Sequence, residues 1–116
     1  MALPEKIKTH AIEAFDEFCE QVPDRIKHQI KRSYSLRGND VTLFQERYIE
    51  RHNQWIKMPI AKFKYDEKSD RWSLWWTDSH DKWIDYYQEI KGEKNNGILG
   101  TLIDEVEKDT MGIFWG

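Results

Sequence analysis

The chain opens on a three- and four-residue rhythm: Ile7, Ala11, Ala14, Phe15, Phe18 and Val22 recur at helical steps, with Lys6, Glu13, Asp16, Glu17 and Glu20 mostly between them. Residues at those spacings share one face, so the stripe predicts a helix from about Pro4 to Gln21. Pro4 suits a first helical turn, where its missing N–H costs nothing. Pro23 ends the pattern, and Asp24–His28 leaves room for one further turn. From Gln29 the period changes to two. Ile30, Arg32, Tyr34 and Leu36 alternate up to the turn Arg37-Gly38-Asn39-Asp40, and Val41 and Leu43 resume the alternation, with Phe44, Glu46 and Tyr48 on the other side. Gly-Asn between two alternating runs supplies the positive φ of a tight turn and predicts a hairpin.

The polar stretch from Ile49 to Met58 has no clear period and ends at Pro59, which reads as a loop or irregular edge. A second hairpin, Ile60–Tyr65 with Trp72–Thr77, closes through Asp66-Glu67-Lys68-Ser69-Asp70. A fifth strand, Lys82–Gln88, follows the short turn Asp78-Ser79-His80-Asp81 and continues an antiparallel meander. After the polar loop Lys91–Gly97, the residues Ile98, Leu99, Leu102, Ile103 and Val106 form the stripe of a last helix, with Asn96 as its N-cap and an end near Gly112. Helix, five strands, helix predicts an α+β fold in which both helices pack on one face of the antiparallel sheet. The length of 116 residues suits one domain, 1–116.

Four of the six tryptophans fall between Arg71 and Tyr87. Alternation sends Trp72, Leu74 and Trp76 to one side of a strand, as expected core, and Ser73, Trp75 and Thr77 to the other. Trp75 is the odd one out: either a second layer covers it or it stands exposed. The terminal Ile113-Phe114-Trp115-Gly116 would expose much apolar surface undocked, so it is expected to pack back onto the sheet, with Trp75 a candidate for it to cover.

Composition changes this picture in two ways. Aromatic residues make up 14 % of the chain, which compensates for a charged fraction of 34 % in building a core. The net charge of −3 is unevenly spread: residues 25–71 carry twelve Lys/Arg against six Asp/Glu, while both flanks are acidic. Opposite blocks either attract each other within the fold or display a basic surface to an anionic partner. One cysteine, Cys19, allows no internal disulfide and is expected as a small buried hydrophobe in a cytoplasmic protein. No stretch is apolar and long enough to predict a membrane span, and no phosphate-cradling glycine run or other cofactor signature is present, so no cofactor is expected.

The element order is related to that of the double-stranded RNA-binding domain but has two more strands, and no lysine cluster opens the last helix, which excludes that identity. A closer likeness lies in Leu43-Phe44 with Arg47, Pro59-Ile60-Ala61-Lys62 with Tyr65, Trp72-Ser73-Leu74 with Trp76, Asp81-Lys82-Trp83 with Tyr86, and Asp109 with Gly112, Phe114, Trp115 and Gly116. These residues resemble a family of small bacterial proteins catalogued as a domain of unknown function, the DUF family numbered 3024. Tyr48, Ile84 and Ile113 depart from its pattern, standing where a proline, a histidine and a cysteine are common. The resemblance implies an architecture and carries no activity.

Three functional readings compete. The leading one is a non-catalytic binding module whose partner is a protein or a second copy of the chain, using an aromatic and basic sheet face with Arg47, Trp55, Lys62, Trp75, Lys82 and Trp83 as binding residues. Trp55, isolated among polar residues, is its expected loop anchor. The first alternative is a single-stranded nucleic-acid binder, with Lys31, Arg32, Lys62, Lys64 and Arg71 for charge and Tyr34, Tyr65, Trp72 or Trp75 for stacking. The second is a metal-dependent phosphodiesterase built on Asp78, His80 and Asp81, although Asp-Ser-His-Asp is also ordinary turn composition.

Overall fold

A computed structural model describes residues 3–78, 80 and 82–115. Helix α1 (Glu5–Cys19) leads through a short 3-10 turn, Asp24–Ile26, into five strands: β1 (Ile30–Arg37), β2 (Asp40–Ile49), β3 (Gln54–Asp66), β4 (Arg71–Thr77) and β5 (Trp83–Asp85). Helix α2 (Leu99–Lys108) follows. The strands lie in chain order in one antiparallel sheet, the expected α+β meander. Both helices cover the same face. Ala11, Phe15 and Phe18 of α1 and Leu99, Leu102, Ile103 and Val106 of α2 meet Val41, Leu43, Ala61, Phe63, Trp72 and Leu74 in a continuous core. Trp72, Leu74 and Trp76 share that covered side, as alternation predicts, with Trp76 at its margin.

The segment 49–58 is not a loop. β2 runs to Ile49, a 3-10 turn at Glu50–His52 reverses the chain, and β3 begins at Gln54, so Tyr48 pairs with Trp55 and Glu46 with Lys57. Asn53 supplies the positive φ of 50° that the reversal needs. Pro59 is accommodated at a bulge: Leu43 pairs with Ala61 but Phe44 with Pro59, leaving Ile60 as the extra residue. The bulge shifts the alternation by one step. Trp55, Lys57 and Pro59, at odd positions, therefore share a face with Lys62 and Lys64, at even ones.

The fifth strand is shorter than its expected Lys82–Gln88. After Asp85 the chain winds into a π-helical turn, Tyr86–Lys91, with the Asp85 carboxylate accepting from the Gln88 N–H at 3.0 Å. A strand would send Tyr86 and Tyr87 to opposite faces; the turn buries both. Tyr86 donates to Glu105 at 2.6 Å, and Lys91 joins the same carboxylate at 2.7 Å, clamping the turn to α2. Three donors, Lys91, Thr110 and Tyr86, offset the effect of burial and hold the Glu105 carboxyl below its ordinary range.

α2 starts at Leu99 with Ile98 in the cap position and no side-chain cap; the expected cap Asn96 lies two residues earlier and accepts from the Ile98 N–H at 2.9 Å. It ends at Lys108 rather than near Gly112, because Asp109 turns left-handed with φ 48°. The Asp109 carboxylate then accepts from the N–H groups of Ile113, Phe114 and Trp115 at 2.8, 3.1 and 3.2 Å. The tail does dock, but on the helix side. Phe114 packs on Tyr86 with ring centroids 5.0 Å apart, Trp115 donates to the Val106 carbonyl at 2.7 Å, and Trp76 donates to the Ile113 carbonyl at 3.1 Å. The expectation that the tail covers Trp75 fails, since Trp75 points to the opposite face.

Candidate binding face

The face turned away from the helices is built by strand alternation alone. With Val41, Leu43, Phe63 and Leu74 drawn into the core, their neighbours Thr42, Phe44, Lys62, Lys64, Ser73 and Trp75 must point outward. Trp83, which pairs with Thr77, joins them from β5, and the bulge adds Trp55 and Lys57. No other layer of the described residues lies over this face. Its aromatic rings are half-buried by lysines instead: Lys31 stands 4.1 Å from the Trp55 ring centroid, Lys57 4.4 Å from Phe44, Lys62 4.8 Å from Trp83 and Lys64 4.2 Å from Trp75.

Among the described residues none of these four lysines forms an ion pair. Glu46 lies between Lys31 and Lys57 in register and Asp40 beside Lys64, yet the ammonium groups sit over rings. Asp66 and Asp85 are engaged by the N–H groups of Lys68 and Gln88. The exposed acidic residues Glu5, Glu13, Asp16, Glu17 and Glu20 lie on α1, and Asp104 and Glu107 on α2. The charge blocks of the sequence thus become layers: an acidic helical side and a basic sheet side. Among the described residues one ion pair bridges them, Arg32 to Glu107 at 3.2 Å, on the covered side.

At its β4–β5 margin the face is grooved. About 410 Å³ of open space is lined by Trp75, Lys82, Trp83, Asp85, Gln88 and Glu89 among others. Trp75 pairs with Asp85 and Trp83 with Thr77, so the two indoles are diagonal neighbours on one face. The Trp75 N–H donates to the Ser73 hydroxyl at 2.8 Å, which fixes the ring's edge and leaves its faces to Lys64 and the groove.

Of the residues expected to bind, Trp55, Lys62, Trp75, Lys82 and Trp83 come together on this side. Trp55 does so as a strand residue against Tyr48, their centroids 5.4 Å apart, and not as a loop anchor. Arg47 does not: it follows the step of Leu43 and Gln45, faces the helix side, and lines a separate groove of about 280 Å³ with Trp76 and Trp115. Arg47 thereby leaves the expected binding set, and Asp81 of the expected phosphodiesterase set lies outside the described residues. Arg32, Tyr34, Tyr65 and Trp72 are likewise on the covered side. Arg71 donates to the Asn95 carbonyl. Lys57 and Phe44 were missed; the signal was an alternation running through Pro59 with its phase shifted.

The Asp78 carboxylate accepts from the N–H groups of His80 and Lys82 at 2.8 and 3.0 Å, and those bonds hold it below the usual carboxylate range. That is the chemistry of a closed turn. Among the described residues no group of three His, Cys, Asp or Glu is placed to hold a metal ion. Burial pushes the Cys19 thiol up to about 11, so it stays protonated at neutral pH and packs as a small apolar group. No described helix is long and apolar enough to cross a membrane.

Compared with known proteins, residues 3–116 match the model of a family described as a domain of unknown function, DUF3024. No curated protein and no solved structure matches the chain.

Proposed function

Since the chain belongs to the DUF3024 family, which comes with no activity, we propose a function from geometry: a non-catalytic binding module whose open sheet face takes an extended polyanion. The observation that carries this reading is the set of four lysines, each over an aromatic ring and none paired with a carboxylate among the described residues. A lysine–ring contact at an exposed site is worth only about 0.5–1 kcal/mol. It is strong enough to keep the ammonium on the face and weak enough to yield to an anion. A second copy of the chain docking through the same face is disfavoured, because a two-fold contact sets lysine against lysine. The reading places the protein in the bacterial cytoplasm, in keeping with its lone, buried-type cysteine.

A direct test uses the contradiction between total and local charge. At pH 7 a protein of net charge −3 should pass through a sulfonate cation exchanger unless its positive groups are segregated. Retention at low salt is expected, and it should disappear when Lys31, Lys57, Lys62 and Lys64 are replaced by Gln. Passage of the unaltered protein at low salt overturns the reading.

A further inference from the structure

The groove between Trp75 and Trp83 narrows the class of polyanion. We infer that it receives an unpaired nucleobase, so that the open face is a platform for single-stranded nucleic acid; this rests on the reading of that face as a polyanion site.

The dimensions come from the strand ladder. Trp75 and Trp83 are diagonal neighbours across β4 and β5, a relation that sets the two residues ~7–8 Å apart and their side-chain origins somewhat less. A flat ring held between two others needs two contacts of ~3.5–4.0 Å. Indoles standing up from those two positions leave room of the order of one base. The groove is open to solvent along its length, so a strand can enter sideways without threading. Asp85 and Gln88 on its wall offer an acceptor and an amide to the polar edge of the guest.

Positive charge stands on the β3 side and at Lys82, with the Asp85 and Glu89 carboxylates on the outer wall. Lys64 over Trp75, Lys62 over Trp83 and Lys82 on the groove wall lie beside the two indoles, so phosphates on either side of a stacked base meet an ammonium. Energetics favour the exchange. A stacked base contributes ~1–3 kcal/mol, against about 0.5–1 kcal/mol for the lysine it displaces, and the displaced lysine then pairs with phosphate. An acidic peptide would satisfy the lysines but leave the gap between the indoles without a planar guest. A duplex has its bases already stacked and paired.

The experiment is a tryptophan-fluorescence titration of the full chain with a 12-nucleotide oligouridylate or oligothymidylate, its duplex form, polyphosphate of equal charge, and polyglutamate. The single strand should quench fluorescence and bind at least tenfold tighter than polyphosphate, with a log–log salt slope of about −2 for three phosphates engaged. Trp75→Ala should lose on the order of tenfold for the single strands and nothing for polyphosphate, while Trp75→Phe, which keeps a stacking face, restores binding. Trp83→Ala is the second variant, and thermal melts check that each remains folded. Equal affinity for polyphosphate and single strands, unchanged in Trp75→Ala, overturns the base slot and leaves the polyanion face standing. Tighter binding of duplex or of polyglutamate overturns it in favour of those partners. Failure to bind any of the four polymers removes both readings.

Discussion

Both faces of the sheet place cations over aromatic rings, yet they do so to different ends. On the covered face Arg32 lies 4.5 Å from the Phe18 ring and 4.9 Å from that of Trp115, donates to the Phe18 carbonyl, and pairs with Glu107 at 3.2 Å. One amino group carries both polar contacts, and the guanidinium lies over two rings. On the open face each lysine has one ring and no carboxylate partner among the described residues. The same contact is a structural joint where the cation also has a carbonyl and a carboxylate, and an offer to a ligand where it has neither.

The contrast breaks most visibly at the covered end. Phe114→Ala removes a 4 % exposed ring that the Asp109 carboxylate holds against Tyr86, and urea denaturation should show a loss of about 3–5 kcal/mol. A loss under 1 kcal/mol would mean that the tail is ornament and that the covered face ends at α2.

Next comes the Glu105 clamp, which sharpens the comparison by pH. Its carboxyl is held below the ordinary value of 4.5, chiefly through Lys91, Thr110 and Tyr86 against the opposing effect of burial. The carboxylate therefore contributes stability that is fully present above about 4.5 and is lost as pH falls through the lower folded value. Lys91, raised above 10.5 by the same bond, contributes below that value and loses its share as pH climbs through the higher folded one. Melting followed from pH 7 to pH 2 should fall less steeply for Glu105→Gln, from a lower plateau. An unchanged acid arm would assign the acid sensitivity elsewhere.

Smaller effects should come from the cations themselves. Arg32→Ala gives up a charged hydrogen bond, an ion pair and two ring contacts, and about 2 kcal/mol is expected by chemical denaturation. Lys57→Ala, by contrast, should stay within about 0.5 kcal/mol of the parent. Equal costs for the two substitutions would erase the distinction between joint and offer.

Where one face of a strand is buried, the sequence was readable. The β1–β2 hairpin, the alternation of Trp72, Leu74 and Trp76, and the stripes of both helices all follow from having a wet side and a dry side. Legibility ended where that asymmetry ends. The β2–β3 hairpin extends past the helices, leaving Ile56 39 % and Met58 47 % exposed, so neither side of it had to be apolar and Pro59 decided for a loop. Tyr86-Tyr87 read as strand because a period of two and a π-helical turn cannot be separated over so few residues. The candidate face was half visible: Trp75 and Lys62 through alternation, Trp55 and Lys57 hidden by the bulge, and Arg47 assigned to the wrong side for want of a count from Leu43.

Ile60 has a consequence of its own. Held in the bulge, it absorbs a phase shift in the strand, and the preceding run keeps Trp55 and Lys57 on display. Iron the bulge out with Ile60 kept in an even register, and Ile56 and Met58 would join Lys62 and Lys64 outside while Trp55 and Lys57 rotated toward the helices; remove Ile60 altogether, and Pro59 adjoins Ala61 directly with the display unchanged. The surface at this end of the sheet is therefore set less by which residues the chain carries than by whether the extra one stays in its bulge, and a relative one residue shorter at that point would show its partners the same chemistry from an unbulged strand.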